Sequence, residues 1–514
     1  MRPFAMKFSG TIFDDQHLSV REWAGENMSC WKTICLACAL FVATALPSPA
    51  QTFTTLVNFD STNGAGPGYV SLVQGTDGNL YGTTEASGGT VFKMTPNGAL
   101  TTLYSFGAQS GANGSTPWSG LALGTDGSFY GTTIEGGSST SCYGGCGTVF
   151  KIIPAGVATT LHSFDPAGGS SPSGALIQGT DGNFYGTTQI GGANNSCDNG
   201  RPTGCGTIFK ITSGGTLTTL HSFNGTDGWK PIAGLVQGTE GNFYGTTVLG
   251  GAYGGGTVFR MTPAGALTTL YNFCTQSGCT DGLSPFAPLI QASNGNFYGT
   301  TSGGGTNYCW FDQQGGTIFK ITPRGGLTTL YSFCLSDGRT PESPLIRASD
   351  GKLYGTTRDG GNGNNCTSAF GDGCGTVFRI VPGGTLTTLH TFNLTDGDIV
   401  TGGLVQATNG KFYGTTWGGG ANTEGTLFSE DVGLGPFITF VLPVGKAGKT
   451  AEILGQGFTG TTSVTFNGVP ATSFSIVSDT YMTAVVPTGA TTGPVVVTTP
   501  SGTLTSNKNF RITN

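Results

Sequence analysis

The sequence predicts an all-β fold: a seven-bladed β-propeller followed by a small β-sandwich. Three observations support this prediction. The tetrapeptide Tyr-Gly-Thr-Thr occurs seven times, each copy lies within a unit that has the pattern of four short strands, and the first and last repeat fragments complete one another. Internal repeats at a regular spacing are typical of solenoids and propellers. The tyrosines of the seven copies are Tyr81, Tyr130, Tyr185, Tyr244, Tyr298, Tyr354 and Tyr413.

Each unit is predicted to contain four antiparallel strands, as the segment 234–273 illustrates. A short apolar strand at 235–237 precedes the turn residues Glu240-Gly241, and most other units have Asp-Gly or Asn-Gly there, which are strong hairpin signals. The second strand ends in YGTT, the third carries GTVF and a basic residue, and the fourth is LTTLxxF. β-Branched and aromatic residues without a 3.6-residue period indicate strands. Four such strands are the anatomy of a propeller blade.

The two ends of the repeat region indicate a closed ring. The segment 53–59, FTTLVNF, is a fourth strand without the preceding three, and the seventh unit ends at 425–428, GTLF, without a fourth strand. Pairing the first strand with the last three completes the seventh blade and removes exposed strand edges. A linear solenoid would gain nothing from this arrangement of the ends. The sequence therefore predicts a propeller over 51–430.

A second domain is predicted at 434–514. Short β-rich runs alternate there with Gly/Pro turns over about 80 residues, a length and pattern that suit a small sandwich.

Composition and the N-terminal segment indicate export. Only 10% of the residues are charged and the formal net charge is −6, which argues against a nucleic-acid partner. Residues 28–50 are similar to a secretory signal, with Lys32, an apolar run at 34–46 and small residues before Gln51. Residues 1–27 fit no part of such a signal, so Met28 is a candidate start. The apolar run is short for a membrane span, and no transmembrane segment is expected after its removal.

The cysteines also favour an exported protein. Three of the 13 lie in the predicted signal, eight of the other ten form local pairs, and the remaining two, Cys309 and Cys334, belong to the same unit. Disulfides are the preferred interpretation, and zinc binding is the alternative, because paired cysteines can hold that ion. No metal or other cofactor is predicted. The predicted disulfides join Cys142 to Cys146, Cys197 to Cys205, Cys274 to Cys279, Cys309 to Cys334, and Cys366 to Cys374.

Both regions resemble known families. The DG-x-x-YGTT, GTVFK and LTTL signature resembles the tandem GloVer repeats of Gloeobacter- and Verrucomicrobia-type bacteria. That resemblance implies a secreted or cell-surface location in a bacterium and supplies no catalytic residues. The segments 455–458, 464–468, 485–487 and 493–497 resemble an IPT/TIG domain, which implies an immunoglobulin-like fold acting as a spacer or accessory binding unit.

Binding residues are sought where the repeats differ. The residue three positions before the first-strand leucine varies between units, and these positions encircle the channel mouth if the first strand is innermost. Aromatic residues with a carboxylate are typical of a sugar or peptide site. The candidates are Tyr69, Trp118, Phe286 and Glu342, together with Arg347, which replaces a repeated glutamine, and Trp310 in a loop on the same face. The alternative is that these aromatic side chains fill gaps between blades.

The leading hypothesis is a non-catalytic, monomeric binding or structural protein with a glycan or protein ligand at one face. The second is a polysaccharide lyase or hydrolase on a propeller scaffold. A glycosidase needs two convergent carboxylates, and Glu135, Glu342 and Asp359 are the candidates outside turns. The histidines His162, His221 and His390 replace a tyrosine on the outer strand and are predicted to be structural.

Overall fold

The chain folds into repeated four-stranded antiparallel sheets. The computed structural model describes residues 51–107, 111–194, 196–197, 204–307, 315–361, 366, 373–381 and 383–513. Strand β1 (Thr52–Asn58) comes first, and six sheets follow in which four consecutive strands pair in chain order. Sheet 1 contains β2–β5 (Val73–Gln74, Leu80–Thr84, Thr90–Met94, Leu100–Ser105), and sheet 2 contains β6–β9 (Ala122–Leu123, Phe129–Thr133, Thr148–Ile152, Ala158–Ser163). Sheet 3 contains β10–β13 (Ile177–Gln178, Phe184–Thr188, Thr207–Ile211, Leu217–Ser222), and sheet 4 contains β14–β17 (Val236–Gln237, Phe243–Thr247, Thr257–Met261, Leu267–Asn272). Sheet 5 contains β18–β21 (Ile290–Gln291, Phe297–Thr301, Thr317–Ile321, Leu327–Ser332), and sheet 6 contains β22–β25 (Ile346–Arg347, Leu353–Thr357, Thr376–Ile380, Leu386–Thr391).

Sheet 7 joins the two ends of the repeat region. It contains β26 (Val405–Gln406), β27 (Phe412–Thr416) and β28 (Thr426–Asp431), with β1 as its fourth strand. Strand β1 runs antiparallel to β28, and Phe53 lies opposite Glu430. The predicted pairing of the first strand with the last repeat fragment is therefore confirmed.

The YGTT motif forms the second strand of each sheet and packs the sheets against one another. The Tyr81 ring stacks on Phe129 of the next sheet at 4.0 Å between ring centroids, and Tyr130 stacks on Phe184 in the same way at 3.9 Å. The glycine leaves room for an aromatic ring, because a Cβ at Gly82 would lie 2.6 Å from Phe92. The motif therefore recurs because each sheet needs the same contact with its neighbour, which gives a propeller-like arrangement.

The first strands lie nearest the centre of this arrangement. Strand β6 contacts both β2 and β10, the first strands of the two neighbouring sheets. The fourth strands carry the exposed threonines of LTTL. The histidines His162, His221 and His390 lie on the fourth strands β9, β13 and β25, as the sequence predicts.

The C-terminal region contains two further four-stranded sheets around one apolar core. The core includes Ile453, Phe458, Met482, Val497 and Phe510, each at most 1% exposed. A short parallel pair, β30 with β38, accompanies the two sheets. The first sheet has the order β29 (Thr439–Phe440), β31 (Thr450–Leu454), β35 (Tyr481–Val485), β34 (Ser473–Ser478); the second has β33 (Val469–Pro470), β32 (Ser463–Phe466), β36 (Val495–Thr499), β37 (Gly502–Thr505); the pair is Val444–Gly445 with Arg511–Ile512.

This C-terminal module rests against the turns that follow the first strands. The Thr480 hydroxyl donates to the Thr76 carbonyl at 2.9 Å, and the Thr408 hydroxyl donates to the Gly455 carbonyl at 3.2 Å. The Phe437 N–H donates to the Thr408 carbonyl at 3.1 Å. Residues Gln51–Asn514 accordingly form one compact unit.

Four of the predicted disulfides are present: Cys142–Cys146, Cys197–Cys205, Cys274–Cys279 and Cys366–Cys374. Cys334 is also disulfide-bonded, and Cys309, its predicted partner, lies outside the described residues. Across the described segments, no helix has the length and apolar character needed to cross a membrane.

Candidate functional site

The seven residues that differ between repeats meet around one cavity. Each lies three positions before the leucine at the start of a first strand, and all seven line one cavity of about 80 Å³. The side chains of Tyr69, Trp118 and Phe286 are partly exposed there. The structure thus brings together four of the predicted binding residues, the three aromatic ones and Glu342. The seven are Tyr69, Trp118, Ser173, Ile232, Phe286, Glu342 and Thr401.

Tyr69 extends across the cavity and connects its walls. Its ring lies edge-on to Trp118 at 4.8 Å between centroids and faces Phe286 at 6.4 Å. Its hydroxyl donates to Glu342 Oε2 at 3.2 Å, and its N–H donates to Thr401 Oγ1 at 3.2 Å. The φ of Tyr69 is +53°, a conformation uncommon for residues other than glycine. Several residues from different repeats therefore hold this side chain in one place.

Glu342 is a buried carboxylate whose negative charge is only partly balanced by a neighbouring arginine. Its exposed fraction is 9%, and Arg358 Nη1 lies 3.6 Å from its Oε1. Burial raises the pKa of Glu342 from 4.5 to about 6, although Arg358 and the Tyr69 hydroxyl both act to lower it. Burial likewise raises the pKa of Tyr69. The cavity therefore presents a carboxylate that binds protons more readily than an exposed one.

A second group of residues, two of them charged, lies next to Tyr69 and Glu342 and was not predicted from the sequence. The residue after YGTT is Arg358 in sheet 6, Trp417 after sheet 7's second strand and Glu85 after that of sheet 1. The Trp417 indole N–H donates to Glu85 Oε1, and burial raises the pKa of Glu85. This position also varies between repeats, so comparing the repeats at the residue after YGTT would have found these residues.

Arg347 lies away from the cavity lining, contrary to the prediction. Its Nη1 donates to the Asn507 carbonyl of the C-terminal module at 3.4 Å. Arg347 ends the two-residue strand β22, whereas Glu342 precedes that strand in the chain and lines the cavity. The repeated glutamines at the same position connect neighbouring sheets. Gln237, for example, accepts from the Thr180 N–H at 2.9 Å and donates to the Gly241 carbonyl at 3.0 Å.

The remaining candidates have separate locations. Trp310 lies outside the described residues. Glu135 accepts a hydrogen bond from the Thr116 hydroxyl at 3.3 Å, and Asp359 is 6% exposed; neither lines the cavity. Burial raises the pKa of Asp359, while Arg358 and Arg339 act to lower it. Glu342 is thus the one carboxylate among the described residues that line this cavity.

Two other groups of polar residues have structural partners. His221 and His390 pair with Asp227 and Asp396 at 2.9 and 3.1 Å, so these acids anchor the outer strand as well as forming turns. Cys366, Cys374 and Asp398 lie close enough to share a metal ion, but the two sulfur atoms are bonded to each other. A disulfide leaves no thiolate to act as a zinc ligand.

Comparisons with known proteins identify the repeat region. The family model described as the Gloeobacter/Verrucomicrobia repeat matches residues 43–198 and 196–370. No curated protein matches the chain. Among solved structures, the extracellular domain of a protein described as a hybrid two component system from B. thetaiotaomicron is 10% identical, with 90% of this chain and 57% of that chain covered and a TM-score of 0.46.

A gluconolactonase from Xanthomonas campestris is 12% identical over 60% of this chain and 86% of that chain, with a TM-score of 0.36. The chain spans 57% of the length of the B. thetaiotaomicron structure. The two matches to the repeat model together cover more than half of the sequence. The chain belongs to the Gloeobacter/Verrucomicrobia repeat family.

Proposed function

We propose that the protein is an exported, non-catalytic binding protein whose ligand site is the cavity mouth around Tyr69, Trp118, Phe286 and Glu342. In this proposal the ring is a seven-bladed β-propeller over 51–430, and the module at 434–514 is immunoglobulin-like and of the IPT/TIG type. The observation that carries the proposal is that all seven residues of this variable repeat position meet around one cavity.

The composition of the mouth favours ligand binding. Tyr81 and the other YGTT tyrosines are at most 2% exposed, as packing residues should be. Tyr69, Trp118 and Phe286 instead keep part of their surface open at the cavity. Aromatic surface beside a few oriented polar groups is typical of sites that bind small molecules or sugars. The mouth therefore has accessible aromatic surface that is not buried by packing between the sheets.

Carbohydrate is the ligand class that this surface suits best. A sugar ring can stack on Trp118 or Phe286, and Glu342 can accept hydrogen bonds from sugar hydroxyl groups. The cavity volume of about 80 Å³ is well below the roughly 300–1,000 Å³ of sites that enclose drug-sized ligands. The mouth would accordingly bind the terminal ring of a glycan rather than enclose an oligosaccharide. A side chain projecting from a protein partner is the next candidate.

The enzyme alternative has less support from the geometry. Glycoside hydrolysis generally needs two carboxyl groups flanking the bond, about 5 to 10 Å apart. Glu342 is the one carboxylate among the described lining residues, and its oxygens face Tyr69 and Arg358. Asp359 acts electrostatically on Glu342 but does not line the cavity. One carboxylate among aromatic residues supports binding without turnover.

An extracellular location is consistent with the four disulfides, because such bonds persist in oxidising compartments and are rare in the cytosol. We propose that residues 28–50 act as the export signal and that the mature chain is a secreted or cell-surface bacterial protein. We also propose that it is monomeric, with no nucleic-acid partner and no cofactor.

A glycan-array screen of the oxidised chain 51–514 tests the proposed function. Retention is recorded together with the release of shorter products, and Glu342→Gln is run beside the wild type. Retention of a glycan without product release is the expected result, with weaker retention by the variant. Released oligosaccharide that disappears in Glu342→Gln would instead establish the enzyme alternative.

A further inference from the structure

Glu430 is a buried acid at a position where the other sheets have an apolar side chain. It occupies the fifth residue of β28, and its exposed fraction is 0%. The equivalent residues of the six other sheets are buried methionines or isoleucines, at most 1% exposed. They are Met94, Ile152, Ile211, Met261, Ile321 and Ile380. Sheet 7 thus carries an acid in a place that the repeat otherwise fills with hydrocarbon.

This carboxylate lacks the partners that a buried charge requires. By hydrogen-bond geometry neither Glu430 Oε1 nor Oε2 has a partner among the described residues, although the Gln51 side-chain amide lies close enough to act on the carboxyl group as a donor. Leaving a buried charge unpaired is strongly destabilising. Protonation would not resolve the problem, because a neutral carboxyl group still needs an acceptor for its proton and a donor for its other oxygen. The site therefore calls for a cationic donor.

The charged groups around Glu430 are already occupied or of the wrong sign. His390 lies nearby, and its Nε2 already contacts Asp396 Oδ2 at 3.1 Å. Asp431 is the next residue and pairs with Lys411 at 3.3 Å. Burial raises the pKa of Glu430, and the Gln51 side-chain amide, which lies close to it, acts to lower that pKa. Gln51 therefore lies close to Glu430, and its backbone nitrogen would become a charged α-amine if processing made it the first residue.

The N-terminal strand places Gln51 at the entrance to this site. Phe53 lies opposite Glu430 in the β1–β28 pair, and Thr52 lies opposite Asp431. Gln51 is exposed and precedes the first residue of β1. Its side-chain amide donates to the Leu389 carbonyl of sheet 6 at 2.5 Å. That bond ties the Gln51 side chain to the neighbouring sheet.

We infer that Glu430 is the counter-ion for a new N-terminus at Gln51, formed when residues 1–50 are removed. The inference rests on the proposed export of the chain. A signal peptidase would add water across the peptide bond between residues 50 and 51, which leaves a carboxylate on the released segment and an α-ammonium on Gln51. The ammonium is a cationic donor with three N–H groups, and it would neutralise Glu430 at the junction where β1 closes the ring.

The same contacts oppose a competing reaction. An N-terminal glutamine can cyclise when its amine attacks its own side-chain amide, which releases ammonia and removes the positive charge. The bond from the Gln51 amide to Leu389 and the ion pair with Glu430 both disfavour that attack. The mature protein is therefore expected to keep a free α-amine at Gln51.

The test uses chain 51–514 prepared in two forms, one starting at Gln51 and one with Gly-Ser-Gly before it. Each form is made with Glu430 and with Glu430→Met, which places there the residue that Met94 and Met261 supply in their own sheets. Acylation of the N-terminal amine at pH 7 is timed by intact mass, and unfolding in urea is followed for all four proteins. Glu430→Gln serves as a second variant that keeps the side-chain shape.

Pairing with Glu430 should raise the pKa of the α-amine by at least one unit from its usual value near 8. The Gln51 start should then acylate about tenfold more slowly than its Glu430→Met counterpart. Its urea midpoint should exceed that of the extended form, and this difference should vanish in Glu430→Met. Equal acylation rates, equal midpoints or a cyclised N-terminus would overturn the inference. None of these outcomes depends on glycan binding, so the proposed function is judged separately.

Discussion

Replacing Glu342 with glutamine should stabilise the protein in a pH-dependent way. Burial holds the pKa of Glu342 at about 6 instead of 4.5. Between these two values the folded state binds more protons at this site than the unfolded state does. The wild type therefore loses stability as the pH rises from about 4.5 through 6, and the loss is complete above that range.

The size of the effect follows from the shift in pKa. A rise from 4.5 to about 6 corresponds to about 2 kcal/mol, an order-of-magnitude value. Glu342→Gln carries no titrating group, so its stability relative to the wild type should improve by up to about that amount between pH 4.5 and pH 7.5. For a cooperative unit the size of Gln51–Asn514, 2 kcal/mol moves the melting temperature by about 2 °C.

The assay is thermal unfolding of both proteins at pH 4.5, 6 and 7.5, with urea unfolding at the same three values. A difference that grows with pH and levels off above 6 is expected. A constant difference would refute the assignment of the pKa to burial of Glu342, whatever the sign of that difference. If the mouth binds its ligand through this carboxylate, the same substitution weakens binding while it stabilises the fold.

Three further predictions concern the scaffold. Phe53→Ala removes the stack on His390 at 3.6 Å and the contact with Phe428, so it should lower the free energy of unfolding in urea by about 2 kcal/mol. The control is Phe474→Ala on β34, where the side chain is 38% exposed, and it should change that free energy by less than about 0.5 kcal/mol. Equal losses in the two variants would contradict closure by β1. Gln237→Ala leaves the Thr180 N–H without its acceptor and should cost about 1 kcal/mol by the same assay, and no loss would mean that water replaces the bridge. Arg347→Ala combined with Thr480→Ala removes two contacts of the C-terminal module, and limited proteolysis should then cut between 431 and 437 faster than in the wild type; an unchanged rate would show that other contacts hold the module.

The fold was largely predictable because the same strand and turn signals recur in each repeat. The YGTT strand occurs in every unit, a turn of Asp-Gly, Asn-Gly or Glu-Gly precedes it, and most fourth strands read LTTL, so an ambiguous pattern in one copy can be assigned from the others. The incomplete ends at 53–59 and 425–428 also predicted the pairing of β1 with β28, which the structure has. The register shifts between the third and fourth strands were not predicted, because they depend on pairing that the residue pattern does not specify.

The site was predictable only in part, because it depends on contacts between distant repeats. The variable position before the first strand located Tyr69, Trp118, Phe286 and Glu342, but the sequence did not show that Tyr69 spans the cavity to reach Glu342, 273 residues away. Arg347 was misplaced because its contact is with the C-terminal module, whose position on the ring no repeat encodes. Glu430 was missed although it also departs from a repeated residue type.

Retention of a glycan by Trp118→Ala tests the central claim most directly. The matched control is Tyr143→Ala, which removes a fully exposed aromatic residue that does not line the cavity. Both variants and the wild type are compared on the glycan that the wild type retains best, with unfolding curves to confirm that all three are folded. The account predicts that Trp118→Ala loses most of the retention and that Tyr143→Ala keeps it. Equal retention by all three proteins would place the binding surface outside the mouth and contradict the account.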